Sequence, residues 1–284
     1  MSWELTETLL ALGVAPVGLS LPGWYTRTIA EPPLPAGVTD IGLLYQPNFE
    51  VLQQLAPDLM IVTPGHASLR GALQHLAPTL TLGAYMSDPQ PYRCLCTETR
   101  ELARALSRDA RAATLIDTTA QTIAAETAKL DAQPGLRAAP VIVAEAVDDR
   151  YLRVYGAGSL FDHLLQAMRV SNAAHPDAGA HVAPSASTAS ASWNTNSAGF
   201  ALVPVQRLIE VAQAGILLVG PVQPEVRAGL ARNPLWRALP AVRNRRVVEL
   251  PVIAPYGGLV SMQRFARAVT VALTQIAMGS ARRA

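Results

Sequence analysis

Between Pro140 and Asp162 the chain runs through an apolar segment, Pro140-Val141-Ile142-Val143-Ala144, and a second strand-like segment, Tyr151-Leu152-Arg153-Val154-Tyr155. A glycine-rich turn, Gly156-Ala157-Gly158, and a helix start, Ser159-Leu160-Phe161-Asp162, follow at once. Strand, tight turn and helix in such quick succession form the grammar of an α/β unit. Similar wording opens the chain, so it reads as two α/β lobes facing a cleft, and a cleft of that kind suits a small molecule. Its 284 residues exceed what one hydrophobic core usually serves, which agrees with two lobes.

Along the first lobe, residues 4–12 carry a helical pattern that stops at Gly13. Residues 14–19 read as a strand, and the Pro- and Gly-rich stretch 22–37 as loop. After strand 39–42, Pro47-Asn48 opens a helix with Phe49, Leu52 and Leu55 on one face, and Pro57 ends it. Strand 58–63, helix 69–76 and strand 79–82 continue the alternation, which predicts a parallel sheet. Ligand sites in such sheets lie beyond the C-terminal strand ends, so loops 43–47 and 64–70 are the expected cleft wall.

The pattern over 98–130 is helical, without Pro or Gly, and Asp109 is a candidate break. About 20 helical residues span roughly 30 Å, enough to join two lobes. The expected organisation is a lobe over 1–106, a connecting helix over 107–133 and a second lobe over 134–284. In the second lobe, strands are expected at 140–144, 152–155, 215–219 and 246–250. Helices are expected at 159–169, 204–213, 224–231 and 258–278, with a long loop over 173–199.

Composition narrows the function. Half the residues are hydrophobic, 15% are charged, and the net charge is +2 without a dense basic run, so nucleic acid is not an expected partner. No window approaches the roughly 20 apolar residues of a membrane span. Lysine occurs once, at Lys129. Cys94 and Cys96 enclose too small a ring for a structural disulfide and are too few for zinc, so they are expected as packed thiols. The histidines, at 66, 75, 163, 175 and 181, show no metal-pair spacing. Ser159 lacks a base and an orienting partner in the pattern, so no catalytic residues, metal site or cofactor are expected.

Several words occur in order with their spacing kept: Glu31-Pro32-Pro33-Leu34-Pro35, Asp40-Ile41-Gly42-Leu43 and Pro47-Asn48-Phe49-Glu50-Val51-Leu52. Val154-Tyr155-Gly156, Ser159-Leu160-Phe161, Asn233-Pro234-Leu235-Trp236-Arg237-Ala238-Leu239-Pro240 and Tyr256-Gly257 complete the set. The ordered set resembles the periplasmic ferric hydroxamate-binding proteins of siderophore ABC importers. That resemblance implies two Rossmann-like α/β lobes joined by a single long helix, with the ligand between them. It implies a monomer that carries a ferric siderophore to an inner-membrane ABC permease and does no chemistry on it. Iron would enter only as part of the siderophore.

The family's chelate-binding arginine and tyrosine fall on Leu44 and His66, and two cleft tryptophans fall on Thr28 and Ala254. Tyr256 and Asn196 match. Replacement donors expected near the changed positions are Tyr45, His66 and Arg70, with Trp24, Tyr25 and Trp193 as stacking area. The family's docking carboxylates fall on Gly71 and Gln206, which leaves Glu50 and Glu210 as nearby substitutes. The family's export signal and a first strand before helix 4–12 have no counterpart here. A periplasmic protein with an altered start and a cytoplasmic one are both open, and a missing strand would leave a sheet unpaired. Rival functions are a haem or cobalamin carrier, with His66 or Tyr45 as axial ligand, and a siderophore-acting hydrolase.

Overall fold

The structure, a computed structural model, describes residues 2–175 and 193–281. It is a mixed α/β fold. One compact unit comprises residues 1–120 and 252–262, the other 121–251 and 263–284.

In the first unit, helix α1 (Trp3–Ala11) leads into strand β1 (Gly18–Leu19), which pairs in parallel with β2 (Thr39–Asp40). Between them lies helix α2 (Pro22–Thr28), where sequence reading expected loop. Pro22 sits at N1, where its fixed φ and missing N–H suit a helix start. Strands β3 (Gly42–Leu43) and β4 (Gln46–Pro47) form a small antiparallel hairpin. Helix α3 (Phe49–Leu55) follows, capped by Asn48, whose Oδ1 accepts from the N–H groups of Glu50 and Val51. Strand β5 (Met60–Val62) pairs in parallel with β6 (Thr79–Thr81), and a 3-10 turn (Pro64–Leu69) and helix α4 (Arg70–Gln74) connect them. The expected helix over 98–130 is two helices, α5 (Pro91–Ala105) and α6 (Asp109–Asp131), divided where Ser107 takes a positive φ of 55°. Helix α6 starts in the first unit and ends in the second.

The paired strands leave a slot of about 350 Å³ in this unit. Its walls come from Leu5 and Leu9 of α1, Val17 and Gly18 at β1, Leu52 and Leu55 of α3, and Met60 of β5. No described strand lies between β1 and β5. Two strands and two helices are the four neighbours of a buried strand in an α/β sheet. An N-terminal fusion of six β-branched residues and a short turn ahead of Ser2 is expected to raise the melting temperature above that of a Gly/Ser fusion of equal length. Equal melting of the two would show that the slot does not accept a strand.

The second unit holds a five-stranded sheet in the order β11 (Val247–Val252), β10 (Gly215–Gly220), β7 (Val141–Ala146), β8 (Tyr151–Tyr155) and β9 (Phe200–Pro204). Residues Val141 to Ala144 are all buried, as a central strand requires, and pair in parallel with Gly215 to Leu218. Strand β8 runs antiparallel to β7, and β9 antiparallel to β8, so the sheet is mixed and departs from an all-parallel Rossmann-like lobe. Residues 205–211 form a 3-10 helix instead of the expected α-helix. Helices α8 (Pro224–Arg232), α9 (Pro234–Ala238) and α10 (Pro240–Arg243) precede β11, and α11 (Leu259–Ala281) closes the chain.

Helix α7 (Leu160–Ala167) is capped by Ser159, whose Oγ accepts from Asp162 N–H and donates to the Gly156 carbonyl. Phe161 of α7 stacks on Phe265 of α11 at 4.3 Å and meets Tyr155 edge-on at 5.2 Å. Gly156 is required here, because a Cβ would come within 2.7 Å of the Ala174 carbonyl oxygen. Among the described residues, no helix is long and apolar enough to cross a membrane, and no group of three His, Cys, Asp or Glu is placed to hold a metal.

Candidate functional site

The hairpin β3–β4 presents a two-residue tip, Leu44-Tyr45. Asp40 Oδ1 accepts from Gly42 N–H at 2.9 Å and Leu21 N–H at 3.1 Å, fixing the entry to the hairpin. Gly42 adopts φ +86°, a conformation that favours glycine. The tip stands against the 3-10 turn Pro64–Leu69. There, Thr63 N–H points at His66 Nδ1 at 3.2 Å, so Nδ1 is the acceptor and Nε2 carries the proton. Nε2 then donates to the Leu44 carbonyl at 2.9 Å. Together with Thr63 Oγ1, His66 completes a capping box in the place usually held by Glu or Gln.

His66 is therefore a buried fastener, 1% exposed, with both ring nitrogens engaged. Sequence reading made it a ligand donor and a possible haem ligand, and the structure corrects this. Burial is the main cause that lowers its pKa below 6.5. The unfolded chain thus binds this proton more readily than the folded one, so the contribution is complete above about pH 6.5 and fades as pH falls. Melting temperature is expected to drop between pH 7.5 and 5.5, less steeply in His66→Gln, which keeps a donor and an acceptor. An unchanged slope would show that His66 does not titrate with unfolding. His163 is shifted in the same direction, also by burial, and sustains part of the slope.

Fastening the tip leaves Tyr45 outside. The residue is 56% exposed, and its ring lies 5.1 Å from the His66 ring, tilted by 43°. Gly65 provides its seat, since a Cβ there would stand 3.0 Å from the Tyr45 ring. Leu43 beside it is also exposed. Arg70, at the start of α4, is exposed, and its guanidinium makes no ion pair or hydrogen bond with a described residue. The hairpin tip thus offers an exposed ring and a phenol, and the start of α4 a free guanidinium.

The other expected site residues divide. Trp24 is 44% exposed on α2, 5.8 Å from the Trp3 ring, with the Arg27 guanidinium 5.4 Å from its centroid. Sequence reading missed Arg27 because α2 was read as loop; one helical turn separates it from Trp24. Tyr25 is fully buried with Leu19 and Ile29, and its hydroxyl donates to the Pro32 carbonyl at 2.6 Å. It is a core residue, not the stacking surface expected. Tyr256 is half-buried, and its carbonyl accepts the Tyr85 hydroxyl at 2.6 Å. Glu50 is exposed near the start of α3.

In the second unit, Trp193 is likewise core instead of stacking surface. It is buried, and its Nε1 donates to Glu210 at 2.9 Å. Glu210 also takes two hydrogen bonds from Arg207, at 2.7 and 3.0 Å, which chiefly hold its carboxyl below the usual range. Its charge is already matched, which weakens it as a docking group. Asn196 is exposed and shapes a turn, with Oδ1 accepting from the N–H groups of Ala198 and Phe200. Ser159 is spent on its cap, so the hydrolase reading finds no nucleophile there. His181 lies outside the described residues.

The chain is 28% identical over 276 residues to the iron(3+)-hydroxamate-binding protein FhuD of Escherichia coli, covering 96% of this chain and 85% of that protein. The crystal structure of the siderophore-binding protein FhuD from Vibrio cholerae, bound to Fe3+-Desferal, matches with a TM-score of 0.82. That match has 22% identity and covers 97% of this chain and 96% of the other. The triscatecholate siderophore-binding protein FeuA from Bacillus subtilis, complexed with ferri-bacillibactin, matches with a TM-score of 0.69 at 16% identity over 96% and 89% of the two chains. The family model described as periplasmic binding protein matches residues 1–254, and the chain belongs to that family.

Proposed function

We propose that this protein binds a ferric siderophore of the hydroxamate class in the periplasm and delivers it to an inner-membrane ABC permease. The observation that carries the reading is the fastened hairpin tip. Tyr45 and Arg70 offer a phenol and a guanidinium without described partners, and Leu43 and the Tyr45 ring add apolar area. A ferric trishydroxamate is an oxygen cage with apolar linkers, and it needs donors toward the cage and flat surface for the linkers. Trp24 with Arg27 repeats the pairing of aromatic face and cation on α2. Membership of the periplasmic binding protein family and the likeness to FhuD of Escherichia coli support the class. Iron stays coordinated by the siderophore, and the protein makes no bond to it.

Titration with ferrioxamine, ferrichrome, a carboxylate-hydroxamate and a ferric catecholate, followed by tryptophan fluorescence, tests the proposal. Saturable quenching by a hydroxamate is expected at about micromolar concentration or below, on the order of −8 kcal/mol or tighter. Quenching by the catecholate alone would replace the ligand class. Silence with every siderophore would overturn the carrier reading, and a Soret shift with haem would redirect it.

A further inference from the structure

Helix α5 has two chemically distinct faces. Leu95, Thr99, Leu102 and Ala103 are buried, and Glu98 on the same side spends its carboxylate on the N–H groups of Gly83 and Ala84 at 2.6 and 2.8 Å. The opposite face carries Arg93, Thr97, Arg100 and Arg104, all exposed. At 3.6 residues per turn the three arginines fall within about 40° of one another around the axis, and they extend along it over about 16 Å. Arg108 and Arg111, also exposed, continue the charge across the break into α6. The Arg108 N–H donates to the Ala103 carbonyl at 2.7 Å, which holds it at the end of α5, and the Arg111 guanidinium lies against Gly13 beyond the end of α1.

None of these five arginines has a carboxylate within ion-pair distance among the described residues, whereas five arginines of the second unit each have one. Their guanidiniums make only long hydrogen bonds to neutral groups nearby. Arg93 donates to Gln90 Oε1 and Arg100 to the Cys96 carbonyl at 3.4 Å, and Arg108 to the Ser107 carbonyl at 3.5 Å. Glu101 and Asp109 are the exposed acids of segment 93–111, so the exposed charge there is positive in excess. A single small anion needs donors that converge on one point, and a row on the convex face of a helix does not converge. The row carries no exposed aromatic ring on which a single-stranded nucleic acid could stack. A plane of anionic headgroups, with charge repeated along a surface, is its complement.

We propose that the outer face of α5 is a docking surface for an anionic phospholipid bilayer, with Arg93, Arg100 and Arg104 along the headgroups and Arg108 and Arg111 extending the contact. The apolar face of α5 stays in the core, so the contact is electrostatic and no side chain enters hydrocarbon. The inference goes beyond ligand carriage and does not depend on it.

The full chain is sedimented with vesicles of phosphatidylcholine containing about one-third phosphatidylglycerol, and with phosphatidylcholine vesicles alone. Saturable binding is expected to the anionic vesicles at about 20 mM salt, weakening about tenfold or more at about 300 mM, because salt screens exposed charges. Each basic residue near such a surface is worth about fivefold in partition, so R93Q/R100Q/R104Q should lose binding about 100-fold. R93K/R100K/R104K should stay within about threefold of the parent, since charge carries the contact. R150Q/R232Q/R237Q removes the same charge from the second unit and should also stay within about threefold. Thermal melting checks each variant, and if the first triple does not fold, Arg100→Gln alone, with an expected loss of about fivefold, takes its place. Equal binding to phosphatidylcholine alone, no binding to the anionic vesicles, or equal losses in the two glutamine triples would overturn the proposal. So would an oligothymidylate that binds the parent as tightly as the anionic vesicles do.

Discussion

Replacement of Glu7 by alanine is expected to destabilise the first unit by about 3–5 kcal/mol, more than any surface change. Glu7 is fully buried on α1 and grips the start of α11. Its Oε1 accepts from Ser261 N–H at 2.7 Å, and its Oε2 accepts from Ser261 Oγ at 2.6 Å. The first N–H groups of a helix lack partners within it, and a carboxylate there is favoured by the helix dipole as well. The neighbouring glycines make the approach possible. A Cβ on Gly257 would lie 2.8 Å from Glu7 Oε2, and one on Gly258 would lie 2.7 Å from Thr8 Oγ1. Alanine leaves Ser261 and the helix end without acceptors in a dry site. Melting is expected to fall on the order of 10 °C, and Glu7→Gln, which keeps one acceptor, should fall less. A shift under 2 °C in Glu7→Ala would show that water replaces the carboxylate at little cost.

Glu7 also shows where sequence reading reaches its limit. Tyr256-Gly257 stands out as a word, but its physical content is a contact between residues 7 and 261. No periodicity reports a pairing across that much chain. What was legible was local. Asn48 announces α3 through its cap, Pro140–Ala144 announces β7 through unbroken apolarity, and Ser159 announces α7. Helix α2 was hidden because prolines and glycines around it resemble loop, although Pro22 is a valid first helical residue. Strand β9 falls between the loop read over 173–199 and the helix read from 204, where no strand was expected, and it pairs with β8. The candidate site was half legible for the same reason. Tyr45, Arg70 and Trp24 were identifiable as donors and flat surface. His66 became a fastener only through the Leu44 carbonyl, 22 residues away. Tyr25 and Trp193 carry the same chemistry as exposed aromatics, and only tertiary packing puts them inside.

That division has a measurable consequence for ligand binding. Tyr45→Ala is expected to weaken ferric hydroxamate affinity about 10- to 100-fold, the loss of an aromatic contact plus one hydrogen bond. Tyr45→Phe keeps the ring and should lose only the hydroxyl's share, about tenfold or less. Arg70→Ala removes a guanidinium donor and is expected to cost about tenfold or more. His66→Gln should behave differently. Its partners are Thr63 and the Leu44 carbonyl, so the variant acts on the seating of the hairpin tip and lowers thermal stability by about 1–2 kcal/mol. At 10 °C, well below melting, its affinity should stay within about threefold of the parent, because the groups proposed to face the ligand are unchanged. The four variants in one titration series distinguish a ring that touches ligand from a ring that holds the loop. If Tyr45→Ala and Arg70→Ala bind as the parent does while His66→Gln does not, the hairpin tip is scaffold and the ligand is held elsewhere.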